Sequence, residues 1–326
     1  MTRVRDNCDV LVIGAGIHGA ATAYHLATDH GLRVVVVDSG RPLAATPQSV
    51  AVVHGFYPEN VRSRLATLGL RQIDEMSRLL DTDVRLRKVG VIHLLDDQHL
   101  TIARDRVRTE TRLRLLTRDD IDRLLGCDQT DIAGALLERD AGYVDPVALT
   151  SAYLSAAQIN GVERRHEDVL SLLRADGRIV GARTTAGELY ADTVVLAAGA
   201  DSGPLLATAG IQLPTNIRRV QVLRLRAEHP PSDPHPVVLD TVWGGWVSPR
   251  GHSILAGVEF APQVEHHKTS PPDPWFIDIC RNSVRRRYPQ WGRVEVVGGW
   301  TAPISSGPSA RLGVMTRHVG RVIATR

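Results

Sequence analysis

A glycine-rich turn near the amino terminus has the residue types and spacing that most directly indicate chemistry. The apolar run Asp9–Ile13 leads into Gly14-Ala15-Gly16-Ile17-His18-Gly19, and a helical stretch, 20–28, follows. In such a turn the glycine backbone can approach a pyrophosphate, and the amino end of the helix faces the phosphate charge. The turn therefore predicts a site for an adenine dinucleotide, with contacts from Gly14, Gly16, Ile17, His18 and Gly19.

An acidic residue completes this pattern. The next apolar strand, 32–37, ends in Asp38, which follows Gly19 by 19 positions (38 minus 19). A carboxylate about 20 residues after the last glycine accepts hydrogen bonds from the ribose hydroxyls, and its charge disfavours a 2′-phosphate. The pattern favours FAD or NAD over NADP and does not separate the first two. The alternative is a glycine-rich turn without a ligand.

A second apolar strand ends in small residues. Thr193–Leu196 continues into Ala197-Ala198-Gly199, whose small side chains let the backbone come near a cofactor, so Ala198 and Gly199 are further candidate contacts. The stretches 167–173 and 181–188, just upstream, have the pattern of a β-hairpin.

Three segments together resemble a known family. Val12–Tyr24, Gly142-Tyr143-Val144-Asp145-Pro146 and Leu196-Ala197-Ala198-Gly199-Ala200 are similar to the D-amino-acid oxidase superfamily of FAD-dependent oxidoreductases, in its glycine oxidase and sarcosine oxidase branch. The resemblance implies FAD as cofactor and oxidation of the C–N bond of an amine, an N-substituted glycine or an amino acid, with O₂ as electron acceptor.

The resemblance also implies further cofactor contacts. Thr46-Pro47-Gln48-Ser49 resembles the family's stretch along the pyrophosphate and ribityl chain, with Gln48 in place of the usual Arg. The backbone of Val169 corresponds to the position that meets the adenine. Ser39, next to Asp38, is included among the contacts.

Candidate catalytic residues follow from the same resemblance. His54 ends a strand expected beside the flavin, and Trp246 falls where relatives have an aromatic pocket wall; each has the alternative of an ordinary core or surface residue. Ala302 stands where an Arg usually binds the substrate carboxylate, and Arg250 or Arg219 is a possible substitute or a structural ion pair. No metal site is predicted, because His266-His267 are adjacent and lack ligand spacing.

The fold class predicted is α/β: a Rossmann-like FAD-binding domain interleaved with an α+β substrate domain on a mixed or antiparallel sheet. The length of 326 residues favours two domains. The boundaries predicted are 1–83, 143–213 and 301–326 for the FAD-binding domain, and 84–142 and 214–300 for the substrate domain.

Composition limits the partners. Aromatic residues make up 4%, and the net charge of +3 is spread along the chain, which argues against nucleic-acid binding. Three distant cysteines indicate a reducing compartment, and no secretory or membrane-spanning stretch is recognised, so a cytoplasmic protein is expected. A small-molecule amine or amino acid is the expected partner, and the oligomeric state stays open.

The carboxyl-terminal region departs from the resemblance. Ser305-Ser306-Gly307-Pro308 lacks an expected acid, and the sequence ends at Arg326, where a glycine-rich flavin loop and a final helix are expected. A shortened sequence and a remodelled flavin site both remain open, as does catalytic activity. The alternative functions are an FAD-dependent 2-hydroxy-acid dehydrogenase and a non-catalytic flavin-binding homologue.

Overall fold

A computed structural model gives the fold, and it describes residues 7–41, 44–79, 84, 86–212, 214, 216–259, 263–264, 270–306, 316–318 and 322–324. The strands are β1 Asn7–Ile13, β2 Val34–Asp38, β3 Val52–Val53, β4 Val91–Leu95, β5 Leu113–Leu116, β6 Gly134–Glu138, β7 Gly142–Tyr143, β8 Glu163–His166, β9 Val169–Ala175, β10 Arg178–Thr184, β11 Glu188–Leu196, β12 Asn216–Ala227, β13 Val237–Asp240, β14 Gly245–Arg250, β15 Ser253–Val258, β16 Gln263–Val264, β17 Val294–Ser306, β18 Thr316–His318 and β19 Val322–Ala324. The helices are α1 Ile17–His30, α2 Asn60–Leu79, α3 Asp97–Arg106, α4 Arg118–Leu125, α5 Pro146–Ile159, α6 Ser202–Ala207 and α7 Pro274–Arg287.

The first sheet carries the glycine-rich turn. Its strand order is β18-β19-β11-β1-β2-β8, with the β9–β10 hairpin added to β11. Strands β1, β2, β8, β11 and β19 run parallel. Because both faces of such a sheet are covered, its central strands β1 and β2 and the end of β11 are apolar runs, and Val12, Val36 and Leu196 are fully buried. One face packs on α1 and α5, and the other packs on α6.

The second sheet has the order β16-β12-β15-β14-β13-β4-β6-β5, with β17 beside β12. Neighbouring strands in this sheet run antiparallel, except that β4 and β13 run parallel. One face packs on α4 and α7 around the buried rings of Tyr288 and Trp291. A parallel sheet with helices beside a largely antiparallel one confirms the predicted fold class.

The other face of the second sheet, called here the inner face, carries the candidate substrate residues. Trp246 pairs with Leu239, and Leu239 pairs with His93 across adjacent strands. Cross-strand neighbours point to the same side of a sheet. Their chain neighbours Val247, Val238 and Ile92 lie in the core on the opposite side. The three paired residues therefore share the inner face.

A two-stranded ribbon covers part of the inner face. Strand β3 pairs with β7, and Val52 and Tyr143 pack on Val91 and Val237 of the second sheet. The segment that follows α1 and β2 is thus brought from the first sheet to the second.

The chain passes repeatedly between the sheets. Strands of the first come from residues 7–38, 163–196 and 316–324, and those of the second from 91–138 and 216–306. The domain boundaries given above stay a prediction. None of the helices in the described part of the chain is both long enough and apolar enough to cross a membrane.

Candidate cofactor and substrate site

The glycines of the turn occupy positions where a side chain would collide with backbone. Gly14 has φ of 103°, a conformation that favours glycine, and a Cβ there would lie 2.7 Å from the carbonyl carbon of Ala197. A Cβ on Gly19 would lie 2.9 Å from the carbonyl carbon of Gly14, with its oxygen nearer still. The turn, the strand end and the helix therefore approach one another closely, as a pyrophosphate cradle requires.

The amino end of α1 faces this turn. Its N-cap is Gly16, which has no side chain to cap the helix. The Ile17 N–H donates to Oγ1 of Thr46 at 3.2 Å. The hydroxyl oxygen of Thr46 thus accepts a hydrogen bond at the place where the helix amides and dipole favour a phosphate oxygen. His18 is exposed on the helix surface, which agrees with a backbone rather than a side-chain role in the turn.

Asp38 lies against the turn. Its carboxylate accepts the N–H of Ala15 at 2.7 Å through Oδ2 and that of Gly40 at 2.6 Å through Oδ1. A carboxylate offers about four acceptor positions, so each oxygen keeps one for a further donor. The backbone fixes the group beside the turn, where the ribose hydroxyls of a bound adenine dinucleotide would need it.

The remaining predicted contacts surround the same crevice at the carboxyl ends of β1, β2 and β11. Ala198 and Gly199 follow β11, with Gly199 at φ of 57°, Val169 begins β9, and Ser39 follows β2; all four are half-buried. Ligands bind at this edge of an open parallel sheet.

Arg41 joins the two sides of the crevice. Its guanidinium lies 3.0 Å from the carboxylate of Asp168 and 3.5 Å from that of Asp201. Asp168 directly precedes Val169 in the sequence, and Asp201 lies two residues after Gly199. The pairs are exposed and contribute little stability, but they mark which segments meet around the predicted adenosine.

The segment 46–57, called here the bridging segment, runs from the turn to the inner face and is held at several points. Trp300 Nε1 donates to the carbonyl of Gln48 at 2.9 Å. Arg250 donates to the carbonyl of Val50, and its guanidinium carbon stands 4.1 Å from the ring centroid of Tyr143. The Ser49 hydroxyl accepts the Ala51 N–H at 2.9 Å. Arg250 thus has protein partners that position this segment.

A buried glutamate holds the far end of the bridging segment. Glu138, which is 0% exposed, accepts the N–H of Gly55 at 2.5 Å and of Phe56 at 3.0 Å, and Arg112 Nη1 lies 2.5 Å away. Burial raises the pKa of Glu138, but the neighbouring His93 and Arg112 outweigh burial and lower it to about 2. The distance to His93 Nε2, 3.7 Å, exceeds hydrogen-bond reach, so that interaction is electrostatic.

His54 is placed beside this glutamate. Burial, with the neighbouring His93 second, lowers the pKa of His54 to about 3, so the ring is neutral at pH 7. Its Nδ1 lies 3.2 Å from the Phe56 carbonyl. Because a carbonyl only accepts, Nδ1 carries the proton and Nε2 is left as an acceptor.

Two aromatic side chains complete the surroundings. The ring of Tyr57 lies 4.4 Å from that of His54, and Arg62 lies 4.0 Å above the Tyr57 ring. Trp246 is half-buried on the inner face, and a Cβ on Gly257 would meet its ring at 2.6 Å. The glycine leaves room for the indole to lie flat on the sheet.

The predicted substitutes for a carboxylate-binding Arg both have partners within the protein. Ala302 is buried in β17. Arg219 pairs with Asp273 and donates to Ser270, and Arg250 holds the bridging segment. The structure therefore gives both arginines structural contacts. His266, His267, Gly307 and Pro308 lie outside the described residues.

The comparisons with known proteins agree with this geometry. A family model described as FAD-dependent oxidoreductase (DAO) matches residues 9–325. The chain belongs to this family. The family is FAD-dependent, and the bare turn, the helix amino end and Asp38 fit the adenine dinucleotide part of FAD.

Relatives of this oxidoreductase include amino-acid and amine oxidases. A glycine oxidase of Pseudomonas aeruginosa is 31% identical over 227 residues, 63% of this chain and 59% of that protein. A sarcosine oxidase subunit beta of Rhizobium meliloti is 26% identical over 219 residues, which are 63% of this chain and 53% of that protein. The chain thus spans less than two thirds of the length of either relative.

A solved structure has the same fold. The L-proline dehydrogenase of P. horikoshii superposes with a TM-score of 0.87 at 18% identity, covering 99% of this chain and 88% of that one. At this identity the likeness establishes the fold of the FAD-dependent oxidoreductase.

Several residues of the site have no signal in the sequence. Glu138, Arg112 and His93 come from three separate strand regions, and the pairing of β6 with both β4 and β5 brings them together beside His54. Nor does any motif mark Tyr57, Arg62 or Arg41. The one available hint is Glu138 itself, an acid at the end of an otherwise apolar strand, four residues before Gly142.

Proposed function

We propose that this FAD-dependent oxidoreductase oxidises the C–N bond of an amine, an N-substituted glycine or an amino acid, and that O₂ reoxidises the flavin. The observation that carries the proposal is the family match over residues 9–325 together with a cofactor crevice connected by the bridging segment to the inner face. Bound FAD supplies the two-electron acceptor for this chemistry.

The proposed FAD contacts are the positions predicted from the sequence. The pyrophosphate is held by the backbone of Gly14, Gly16, Ile17, His18 and Gly19 and by Thr46, Gln48 and Ser49. Asp38 and Ser39 hold the ribose, Val169 the adenine, and Ala198 and Gly199 approach the cofactor from β11. The support is their convergence around one crevice.

On the substrate side, we assign His54 and Trp246 to the pocket. Oxidation next to nitrogen needs an unprotonated amine held in the correct orientation in a dry site. His54 lines the pocket with a ring that is neutral at pH 7, and the indole of Trp246 excludes water from the inner face. Arg250 acts by positioning the bridging segment that carries His54.

The substrate class follows from the partners of the arginines. Because Arg219 and Arg250 are held by protein groups and Ala302 carries no charge, we propose a secondary amine, in preference to free glycine. Relatives named for glycine and sarcosine oxidation support the C–N chemistry. We further propose a cytoplasmic location, supported by three cysteines that are all unpaired and buried.

Anaerobic mixing tests the proposal. The FAD-loaded protein is mixed with a panel of secondary amines, N-methylated amino acids and primary amino acids, and flavin absorbance is followed. Bleaching by an amine, followed by recovery on admission of O₂, is expected. Bleaching by 2-hydroxy acids alone would show that the amine assignment is wrong, and recovery only with another acceptor would remove O₂ from the proposal.

A further inference from the structure

Two histidines and a glutamate meet at the edge of the inner face. Within the described part of the chain, His54, His93 and Glu138 form the one group of three His, Cys, Asp or Glu side chains whose possible ligand atoms all lie within 4.8 Å of one another. They come from the bridging segment, β4 and β6. No motif anticipates the group, because its members are 39 and 45 residues apart (93 minus 54, and 138 minus 93).

His93 has an unexplained polar atom. The residue is 4% exposed, and its Nε2 is buried without a hydrogen-bond partner among the described residues. The nearest carboxylate oxygen, Glu138 Oε2, is 3.7 Å away. Buried polar atoms almost always have a partner, so one that faces a carboxylate across this gap indicates space for a bound group.

Glu138 keeps one acceptor position on that side. Oε1 accepts from Gly55 and Arg112, while Oε2 accepts from Phe56 alone. A carboxylate has about four lone-pair positions, so the remaining one belongs to Oε2, the oxygen that faces His93.

His54 is oriented as a metal ligand would be. Its Nδ1–H donates to the Phe56 carbonyl at 3.2 Å, which fixes the ring and leaves Nε2 bare. A ligating histidine usually has its second ring nitrogen held by such an acceptor.

We propose that His54 Nε2, His93 Nε2 and Glu138 Oε2 bind a divalent transition-metal ion of the zinc class. Two imidazoles and one carboxylate are a zinc donor set, whereas magnesium and calcium prefer oxygen alone. Tetrahedral zinc holds its ligand atoms ~3.4 Å apart. His93 Nε2 and Glu138 Oε2 are already 3.7 Å apart, and each of the three residues has a possible ligand atom within 4.8 Å of those of the other two. A fourth position remains for water or an anionic ligand.

The experiment uses the FAD-loaded full chain. It is stripped with a chelator, titrated with Zn²⁺ by calorimetry, desalted, and assayed for zinc and FAD. We expect about one zinc per chain. His93→Gln is expected to weaken zinc binding at least 100-fold without loss of FAD. The control is His235→Gln, since His235 is also buried, at 6% exposed, but lies outside the group and is expected to bind zinc as the wild type does.

Two outcomes would overturn the site: a wild-type protein that retains no zinc, or a His93→Gln variant that binds zinc as well as the control. If His93→Gln fails to fold and therefore holds no FAD, the Co²⁺-loaded wild type tests the site instead. Four-coordinate Co²⁺ absorbs strongly at wavelengths longer than those of oxidised flavin. Absence of that band would also refute the site. Zinc binding is independent of flavin bleaching, so failure here leaves the proposed oxidation untouched.

Discussion

Replacing Glu138 by Gln tests how the substrate side of the site is held. The carboxylate accepts two backbone N–H groups and pairs with Arg112, all within buried surroundings. An amide has one accepting oxygen, so in either orientation its NH₂ faces a donor. Leaving one buried N–H unsatisfied costs about 1–3 kcal/mol, and Arg112 keeps its second partner, Glu110, which limits the further loss.

The pKa of Glu138 gives a second estimate of how much Glu138→Gln destabilises the protein. It falls from 4.5 to about 2 in the folded protein, and that difference corresponds to ~3 kcal/mol. Because the folded-state pKa is the lower one, this stabilisation is present above about pH 4.5 and is lost as the pH falls toward 2. The second value agrees with the upper end of the first range, so we expect a destabilisation of about 3 kcal/mol at pH 7, or a melting temperature ~5 °C lower.

Thermal melting of the chelator-stripped protein, followed by circular dichroism at pH values from 7 down to 3, measures this destabilisation. The matched control is Glu163→Gln at the exposed pair with Arg165, which is expected to change stability by less than about 0.5 kcal/mol. The gap between wild type and Glu138→Gln should narrow below pH 4.5. A variant that melts within about 1 °C of the wild type at pH 7, or a gap that does not narrow, would refute the anchoring role.

Further predictions concern the cofactor and the pocket. Gly19→Ala should abolish FAD retention, because its Cβ meets the Gly14 carbonyl, whereas Gly69→Ala, with open space around it in α2, should retain FAD; equal flavin content in both purified variants would contradict the cradle. Asp38→Ala should weaken FAD binding at least tenfold by equilibrium titration, since it removes an acceptor for the ribose and frees two backbone amides, and unchanged affinity would exclude the ribose role. His54→Gln should lower the rate of flavin reduction without moving the pH profile between pH 5 and 8, because a pKa of about 3 keeps the imidazole neutral there; an inflection that disappears with the substitution would show that His54 titrates in this range.

The sequence predicted the cofactor side of the site because that side is local. The strand, turn, helix and acid of residues 9–38 are continuous in the sequence. Their glycines are required for steric reasons, so their spacing can be recognised in the sequence. The family was predicted correctly from the resemblance of three short segments, and the fold class was predicted correctly as well. Asp38 lies against the turn as expected, and Thr46 reaches the helix amino end.

The substrate side could not be predicted in the same way. In the sequence His93 is one polar residue in an apolar strand. Its position diagonal to Glu138, which pairs with Val91, depends on the register of β4 with β6. Arg250 was predicted to take part in catalysis from a resemblance, but its contacts with Val50 and Tyr143 depend on how the bridging segment crosses the sheet. Long-range pairings of this kind are set by tertiary packing, which a single sequence does not encode in any local pattern.

The visible spectrum of the purified full chain, recorded before and after denaturation, tests the central claim most directly. We expect a yellow protein with about one flavin per chain, released as intact FAD when the protein unfolds, because the turn and Asp38 hold its adenosine end without a covalent bond. A colourless protein that takes up no added FAD, or one that binds FMN as tightly as FAD, would contradict it.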